Sequence, residues 1–413
     1  MERVDAVVLG AGPSGLGAGL ALARGGATVV VMEAARRVGG LCVTRRANGF
    51  AYDVGGHIPF VRSEARRAWL EEVLAGELHW VDRPVSCVID GAIAKGRYLD
   101  QRPSAPLEAG AHDETALGEL GSRFGQSFVD EAMRPYLEKI DGVPLERIPG
   151  SRAIKLMVDQ AAPEGFWFPN EGIGQLMDAM ADAISQAGGE VALCHQARAI
   201  EVSAGRVTGV AADSLSDLRR IATDSIVVGI PAGLAARLVQ PAAPAAATPH
   251  VAMRAVCLVY LAIDQPAVTH EAWIQVDHPE VPFSRAFEPR NWSERLSPPN
   301  ETMLGLECYC QADPDDPVWA LDDEKLARAC AAAAADPLGW IDSPARASLI
   351  EVVRMPRAYP VPDLRQVSQI SAPVQWLGQI DGIHVAPGAA VIEAIEAGER
   401  AAARLTGAAH VAV

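Results

Sequence analysis

The chain is short of aromatic residues, of positive charge and of long apolar runs, and each shortage removes a class of function. Thirty-six Lys and Arg stand against 52 Asp and Glu, a net charge of −16. A surface that acidic repels nucleic acid phosphates and anionic lipid headgroups, so neither nucleic acid nor membrane is expected as a partner. No apolar stretch reaches the roughly 20 residues that span a bilayer. Glu2, Arg3 and Asp5 stand before the first apolar run, which leads straight into a glycine turn rather than a secretory cleavage site. A cytoplasmic protein is expected. The seven cysteines are odd in number and scattered, which argues against a disulfide frame, and no Cys/His cluster has metal-ligand spacing, so no metal is expected. Cys308 and Cys310 alternate with Glu307 and Tyr309 in a strand pattern and read as core packing; Cys42 reads as a small apolar residue. Aromatics are 5% of the chain, so an aromatic cage for an amine is not strongly written.

What is present is an ordinary globular composition, 49% hydrophobic and 21% charged. Its 413 residues suggest two or three folding units at about 150 residues each. Apolar periodicity predicts a strand over 4–9, a glycine-rich turn, a helix to about residue 24 and a second strand over 28–32. A polar hairpin follows over 42–53. From 63 to 186 the pattern is mostly helical, with helices over 64–75, 123–138 and 172–187, a strand cluster near 79–98 and a loop over 106–113. Residues 190–202 read as a strand with a return to 212, and 225–230 as a buried strand stopped by Pro231. Segment 241–249, rich in Ala and Pro, reads as a linker. An antiparallel sheet is expected over 251–312, then a helix over 321–335 and a strand over 348–354. The chain closes with a short strand over 374–377, a glycine-rich turn and a helix over 389–405.

The strongest motif is Gly10-Ala11-Gly12-Pro13-Ser14-Gly15, placed after a strand and before a helix. Gly10 allows the tight turn, Gly12 lets backbone approach a pyrophosphate, and Gly15 lets the helix pack on the sheet. The helix N-terminus then offers amide donors and a positive dipole end to phosphate. Glu33, eighteen positions after Gly15, ends the second strand, where a carboxylate accepts from ribose hydroxyls. It repels a 2′-phosphate, which disfavours NADP, although Arg36 and Arg37 soften that argument. Two further glycine pairs, Gly39-Gly40 and Gly55-Gly56, are surplus for NAD and make sense for a longer dinucleotide that continues to a ring.

Glu33-x-x-x-Arg37-x-Gly39-Gly40 followed by Asp53-x-Gly55-Gly56-His57 resembles the FAD-binding superfamily of amine oxidases, protoporphyrinogen oxidases, carotenoid-type desaturases and UDP-galactopyranose mutases. The likeness covers most of the chain. Residues 134–144 are similar to a helix and turn of the protoporphyrinogen-oxidase-like and mutase-like branches, and Gly172-Ile173-Gly174-Gln175-Leu176 to the segment before the second FAD-contacting strand. The resemblance implies FAD held without a covalent bond by Gly10, Ala11, Gly12, Pro13, Ser14, Gly15, Glu33, Ala34 and Arg37. The track continues with Gly39, Gly40, Leu41, Gly55, Gly56, His57 and Ile58. It implies Ala197 beside the adenine, a contribution from Gly378 and Gln379, and the backbone of Ala389, Ala390, Val391 and Ile392 at the flavin's pyrimidine edge. Leu41 departs from the arginine of many amine oxidases, and the closing motif lacks their lysine and aromatic pair.

His57 is the first catalytic candidate, as a group that bonds the flavin or moves a substrate proton, against the alternative of a packed histidine. Tyr359, just before the closing segment, is the second, as a wall or orienting group. Arg134, Tyr136 and Lys139 share no clean helix face and read as a solvated surface. Arg285, Arg290, Asn291 and Trp292 could hold an anionic or sugar-like ligand, but Glu288 and Glu294 are interleaved, the local charge excess is slight, and no phosphate site is read there.

The expected fold class is α/β: a discontinuous Rossmann-like FAD-binding domain (1–75, 188–245 and 360–413) with a mixed α+β substrate-binding domain (76–187 and 246–359). The expected function is an FAD-dependent oxidoreductase that removes a hydride from a C–H next to N or O of a small biosynthetic substrate, with O2 or another electron acceptor. A homodimer is left open. The rival reading is a non-redox sugar mutase, and a third is an FAD-binding assembly partner without catalysis.

Overall fold

The computed structural model describes residues 2–82, 84–89, 91–101, 114–159, 165–214 and 217–407. The loop expected over 106–113 lies outside the described residues. Ala6–Leu9 and Val29–Met32 are buried at every position, as strands covered on both faces must be. They form the middle of a five-stranded parallel sheet in the order Glu190–Ala192, Val29–Met32, Ala6–Leu9, Ile226–Val228, Ile383–Val385. Helix Pro13–Arg24 covers one face and packs on the helices Ile173–Gln186 and Val391–Thr406. The contact with the last of these is backbone-close: a Cβ on Gly398 would stand 1.9 Å from Ser14 O, inside any tolerated separation. Helix Ile173–Gln186, which falls within segment 76–187, shares its core with this sheet. The other face is covered by a second five-stranded sheet built around the hairpin of Gln196–Ser203 and Arg206–Asp213.

The other half of the molecule rests on a mixed seven-stranded sheet. Its order is Ala347–Pro360, Met253–Ile263, Thr302–Cys310, Arg285–Phe287, Trp273–Gln275, Val85–Ile89, Ala92–Lys95. One face packs on helix Asp323–Ala335, the other on the helices Ala116–Phe124 and Arg134–Asp141. Cys257 and Cys310 (Sγ to Sγ 3.9 Å) and Cys308 and Cys330 (3.7 Å) sit inside the first of these cores as free thiols. Among the described residues, no helix is long and apolar enough to cross a membrane.

Several expected elements take another form. Residues 374–377 end a helix, Val367–Leu377, and the closing strand is Ile383–Val385. A four-residue apolar run fits either period, and Pro373 sits inside the helix without ending it. The helix expected over 123–138 starts later: Gly125, at φ +85°, ends Ala116–Phe124, and helical turns then run over 126–141, widened at Val129–Met133. The strand expected over 190–202 divides at Cys194, at φ +58°, into Glu190–Ala192 and Gln196–Ser203, which join different sheets. Phe166–Pro169, within the region read as helical, pairs with Leu78–Val81.

Candidate functional site

The parallel strands all end at one edge, where the glycine turns gather. Gly10 N donates to Met32 O at 2.7 Å, which fixes the first turn against the neighbouring strand. A Cβ on Gly15 would lie 1.8 Å from Gly10 O, so the helix enters with its backbone against the turn. Gly12 caps that helix without a side-chain hydrogen bond, Pro13 follows at its first position, and a Cβ on Gly12 would meet nothing within 4 Å. The helix start therefore presents amide donors to an open groove. The second glycine pair forms the facing wall: Gly39 N donates to Ala11 O at 2.7 Å, and a Cβ on Gly40 would stand 3.4 Å from Gly12 Cα. Leu41 is 51% exposed beyond it.

Glu33 accepts from Ala11 N through Oε2 and from Ala35 N through Oε1, both at 2.8 Å. These bonds aim the carboxylate and leave each oxygen a lone pair for a ligand hydroxyl. Ala34 and Arg37 are exposed beside it. His195 N donates to Glu33 O at 2.8 Å, which brings Ala197 to this end of the groove.

Further along, the hairpin of Thr44–Ala47 and Phe50–Asp53 delivers the third glycine pair. Asp53 is buried, accepts from the Thr44 hydroxyl at 2.6 Å and from Ile173 N at 3.1 Å, and so caps helix Ile173–Gln186. Burial pushes its pKa up to about 7, against the pull of those two donors. The loop that follows is held from the seven-stranded sheet. Tyr260 donates its hydroxyl hydrogen to Asp53 O at 2.6 Å and accepts from Gly55 N at 2.9 Å, while Glu307 Oε1 accepts from Gly56 N at 3.3 Å. His57 Nδ1 is buried with no hydrogen-bond partner among the described residues. Burial pushes the His57 pKa down, against the charge of Glu307, which favours a neutral ring. Ile58 is buried beside it.

The chain's last helix begins at the same place. Ala390 caps Val391–Thr406 in extended conformation with no side-chain hydrogen bond. Buried Arg66 ties that helix down through Glu399, at 3.0 and 2.7 Å. A cleft of about 1130 Å³, counting its open mouth, lies between Phe60, Ser63, Ala389, Ala390 and Ile392. Gly378 and Gln379 are not brought here: they lie before strand Ile383–Val385, at the amino end of the sheet, where Asp381 N donates to Gly205 O.

Beyond Gly56 lies a second cavity of about 590 Å³ with its mouth, and Phe60 lines both spaces. Its apolar walls include Phe60, Trp273, Phe287 and Trp292, the last two stacked at 4.9 Å between centroids and 12° between planes. Its polar lining is Arg97, Gln275, Arg285, Glu307 and the Gly56 backbone. Arg285 Nε donates to Tyr136 Oη at 2.9 Å, and its Nη1 stands 3.8 Å from Glu307 Oε2, which accepts from the Tyr309 hydroxyl at 2.7 Å. Burial works against the Arg285 charge, but Tyr136, Tyr309 and Glu307 more than restore it, and its pKa lies above the usual arginine value.

This chamber corrects several expectations. Its aromatics converge from three stretches of chain, Phe60, Trp273 and the pair Phe287 and Trp292. Tyr136 is fully buried, and Lys139 donates to the carbonyls of His278, Val281 and Phe283, so the solvated-surface reading holds for Arg134 alone. Of the four residues 285 and 290–292, Arg285 and Trp292 reach the chamber. Arg290 binds the carbonyls of Pro266 and Glu301, and Asn291 those of Thr269 and Glu271. Tyr359 does not line the chamber: it is 45% exposed and stacks on Tyr309 behind it. The signal for Glu307 was available, since a lone carboxylate in the middle of Thr302–Cys310, buried at every position, needs a reason to be there.

The groove fits the long dinucleotide that the glycine spacing suggests. Open backbone at Gly12 and Gly40, an uncapped helix start, an aimed Glu33 and an orphaned buried nitrogen on His57 are each what such a ligand would use.

Comparison with known proteins adds the family. Residues 67–406 match the family described as flavin containing amine oxidoreductase, and residues 8–73 match an NAD(P)-binding Rossmann-like domain. Human all-trans-retinol 13,14-reductase is 35% identical over 147 residues, 35% of this chain and 23% of that protein. Phytoene dehydrogenase of Streptomyces griseus is 31% identical over 142 residues, 32% of this chain and 27% of its own. The matches thus span about a quarter of these relatives. Among solved structures, reduced UDP-galactopyranose mutase aligns over 98% of this chain and 96% of its own, with a TM-score of 0.76 at 18% identity, a likeness of fold.

Proposed function

The chain belongs to the flavin-containing amine oxidoreductase family with FAD as its cofactor, and on that premise we propose that it oxidises a small biosynthetic substrate by removing a hydride from a C–H next to N or O. The observation that supports this is the shared wall: Phe60 lines both the cleft at Ala389, Ala390 and Ile392 and the aromatic chamber, which Gly56 also lines. Bound FAD supplies the two-electron acceptor. The amides of Gly12, Ser14 and Gly15, free among the described residues, would hold its diphosphate, Glu33 its ribose, and the start of helix Val391–Thr406 would stabilise negative charge at the ring's pyrimidine edge. His57, neutral, offers a ring nitrogen for a hydrogen bond. The chamber aligns the substrate and excludes water. The reading includes non-covalent attachment, O2 or another electron acceptor, a cytoplasmic location and an open question of homodimerisation. It assigns cofactor binding to 1–75, 188–245 and 360–413 and substrate binding to 76–187 and 246–359.

The mutase reading has one observation in its favour, the arrival of two arginines, Arg97 and Arg285, in the chamber. Arg97, however, is spent on Asp100 and on Met157 O. A visible spectrum followed by anaerobic additions separates the two. Bleaching of the flavin band by an alcohol or amine alone supports dehydrogenation. A nucleotide sugar that isomerises only after dithionite supports the mutase. A folded, colourless protein that refuses FAD overturns both.

A further inference from the structure

The chamber's charges are already balanced within its walls. Arg97 is paired with Asp100 through Nε and Nη2. Glu307 accepts from Gly56 N through Oε1 and from the Tyr309 hydroxyl through Oε2, and its charge is opposed by Arg285 at 3.8 Å. Arg285 is the lining charge with donors to spare. A guanidinium carries five N–H groups, and Nε alone is within hydrogen-bond distance of an acceptor among the described residues. Its side chain is 24% exposed, toward the chamber it lines.

A ligand entering this space meets opposed charges. An ammonium group would approach the Arg285 cation, which already opposes the Glu307 charge at 3.8 Å. A carboxylate would gain Arg285 and lose as much to Glu307 beside it. Either ion would leave water and bring an unbalanced charge into a mostly apolar space. A neutral oxygen takes the spare guanidinium donors at no such cost. The walls dictate the rest of the shape: the Phe287–Trp292 stack and the edge-on Phe60–Trp273 pair (centroids 6.3 Å apart) accept a flat, unsaturated body.

We infer that the substrate is uncharged, flat and unsaturated, with a carbonyl or hydroxyl oxygen that accepts from Arg285. This rests on the reading of the chamber as the substrate site and narrows it, since amines and carboxylates are disfavoured.

The test uses four probes of one shape: cinnamyl alcohol, cinnamate, cinnamylamine and the hydrocarbon β-methylstyrene. Binding to the purified protein is read by tryptophan fluorescence, because Trp273 and Trp292 line the site. The alcohol is expected to bind roughly tenfold more tightly than either ion. Arg285→Met is expected to erase its advantage over the hydrocarbon, and Arg290→Met, outside the chamber, to leave the ranking unchanged. An ion that binds as tightly as the alcohol, failure of all four probes to bind, or an alcohol preference that survives Arg285→Met would overturn the inference. Should Arg285→Met not fold, the ranking in the native protein decides alone. A missing flavin band ends the oxidoreductase reading and leaves the ranking measurable, whereas a wrong ranking in yellow protein ends only this inference.

Discussion

At the edge of the five-stranded sheet the groups that face the groove are backbone: the Gly10 to Gly15 turn, the Gly39-Gly40 turn and an uncapped helix start. Around the chamber they are side chains, and Trp273, Arg285, Trp292 and Glu307 come from different strands and turns of the seven-stranded half. A backbone site is specified by what is missing, the Cβ atoms of glycine, within one short stretch of chain. A side-chain site is specified by which residues meet after the sheet has formed. The two should therefore fail differently when mutated.

The largest effect is expected where backbone meets backbone. Gly15→Val places a Cβ 1.8 Å from Gly10 O, and nothing in a turn and helix start can shift that far. A cost above about 4 kcal/mol is expected, seen as loss of a cooperative thermal transition. In its companion Gly12→Val the Cβ meets nothing within 4 Å. That variant should leave the Tm of the cofactor-free protein within about 2 °C and weaken FAD binding by at least about 100-fold. If both variants lose the fold alike, Gly12 is structural and the groove is not a ligand cradle.

Next in size is the seam between the two regions. Asp53 has its folded pKa raised from 3.8 to about 7, chiefly by burial. The stability it contributes is thus complete below the unfolded pKa and is lost as pH rises through about 7. Asp53→Asn removes the titration. The stability difference between wild type and variant should swing against wild type by up to about 4 kcal/mol between pH 4 and 8. Parallel Tm profiles across that range would show that Asp53 stays ionised.

Tyr260→Phe probes the same seam through one hydroxyl, which bridges Gly55 N and Asp53 O. Two buried polar groups lose their partner, for a cost of about 2 kcal/mol. Because the loop they hold leads to the chamber, the visible spectrum of bound flavin should shift as well. A Tm change without a spectral change would place the flavin ring away from Gly55 and Gly56.

The division between backbone and side-chain sites also decides what could be read in advance. The glycine turns, Glu33 and the first two strands are local in sequence, so their spacing and period were enough. The closing strand was placed on 374–377 because a run of four apolar residues has no period, and burial of Leu377 in a helix is a tertiary outcome. Tyr136 and Arg285, 149 positions apart and joined by a 2.9 Å hydrogen bond, carry no mark of each other in the sequence. Composition says nothing of convergence either, and Trp292 stacks on Phe287 because the turn Pro289–Asn291 folds it back.

Tyr359 gives the smallest expected effect and the sharpest check on that distinction. In the sequence it stands beside the closing segment, as an orienting group would. In the structure its ring stacks on Tyr309 at 6.3 Å, and Tyr309 is the residue that donates to Glu307. Its observed contact toward the chamber is the packing on the Tyr309 ring, which Phe supplies equally well. Tyr359→Phe should change stability by less than about 0.5 kcal/mol and kcat/KM, once a substrate is in hand, by less than about twofold. Tyr309→Phe, by contrast, strips a hydrogen bond from a buried carboxylate and should cost about 1–3 kcal/mol. A large kinetic loss in Tyr359→Phe with normal stability would mean that the phenol reaches the reacting atoms, and that the chamber extends along strand Ala347–Pro360 rather than ending at Glu307.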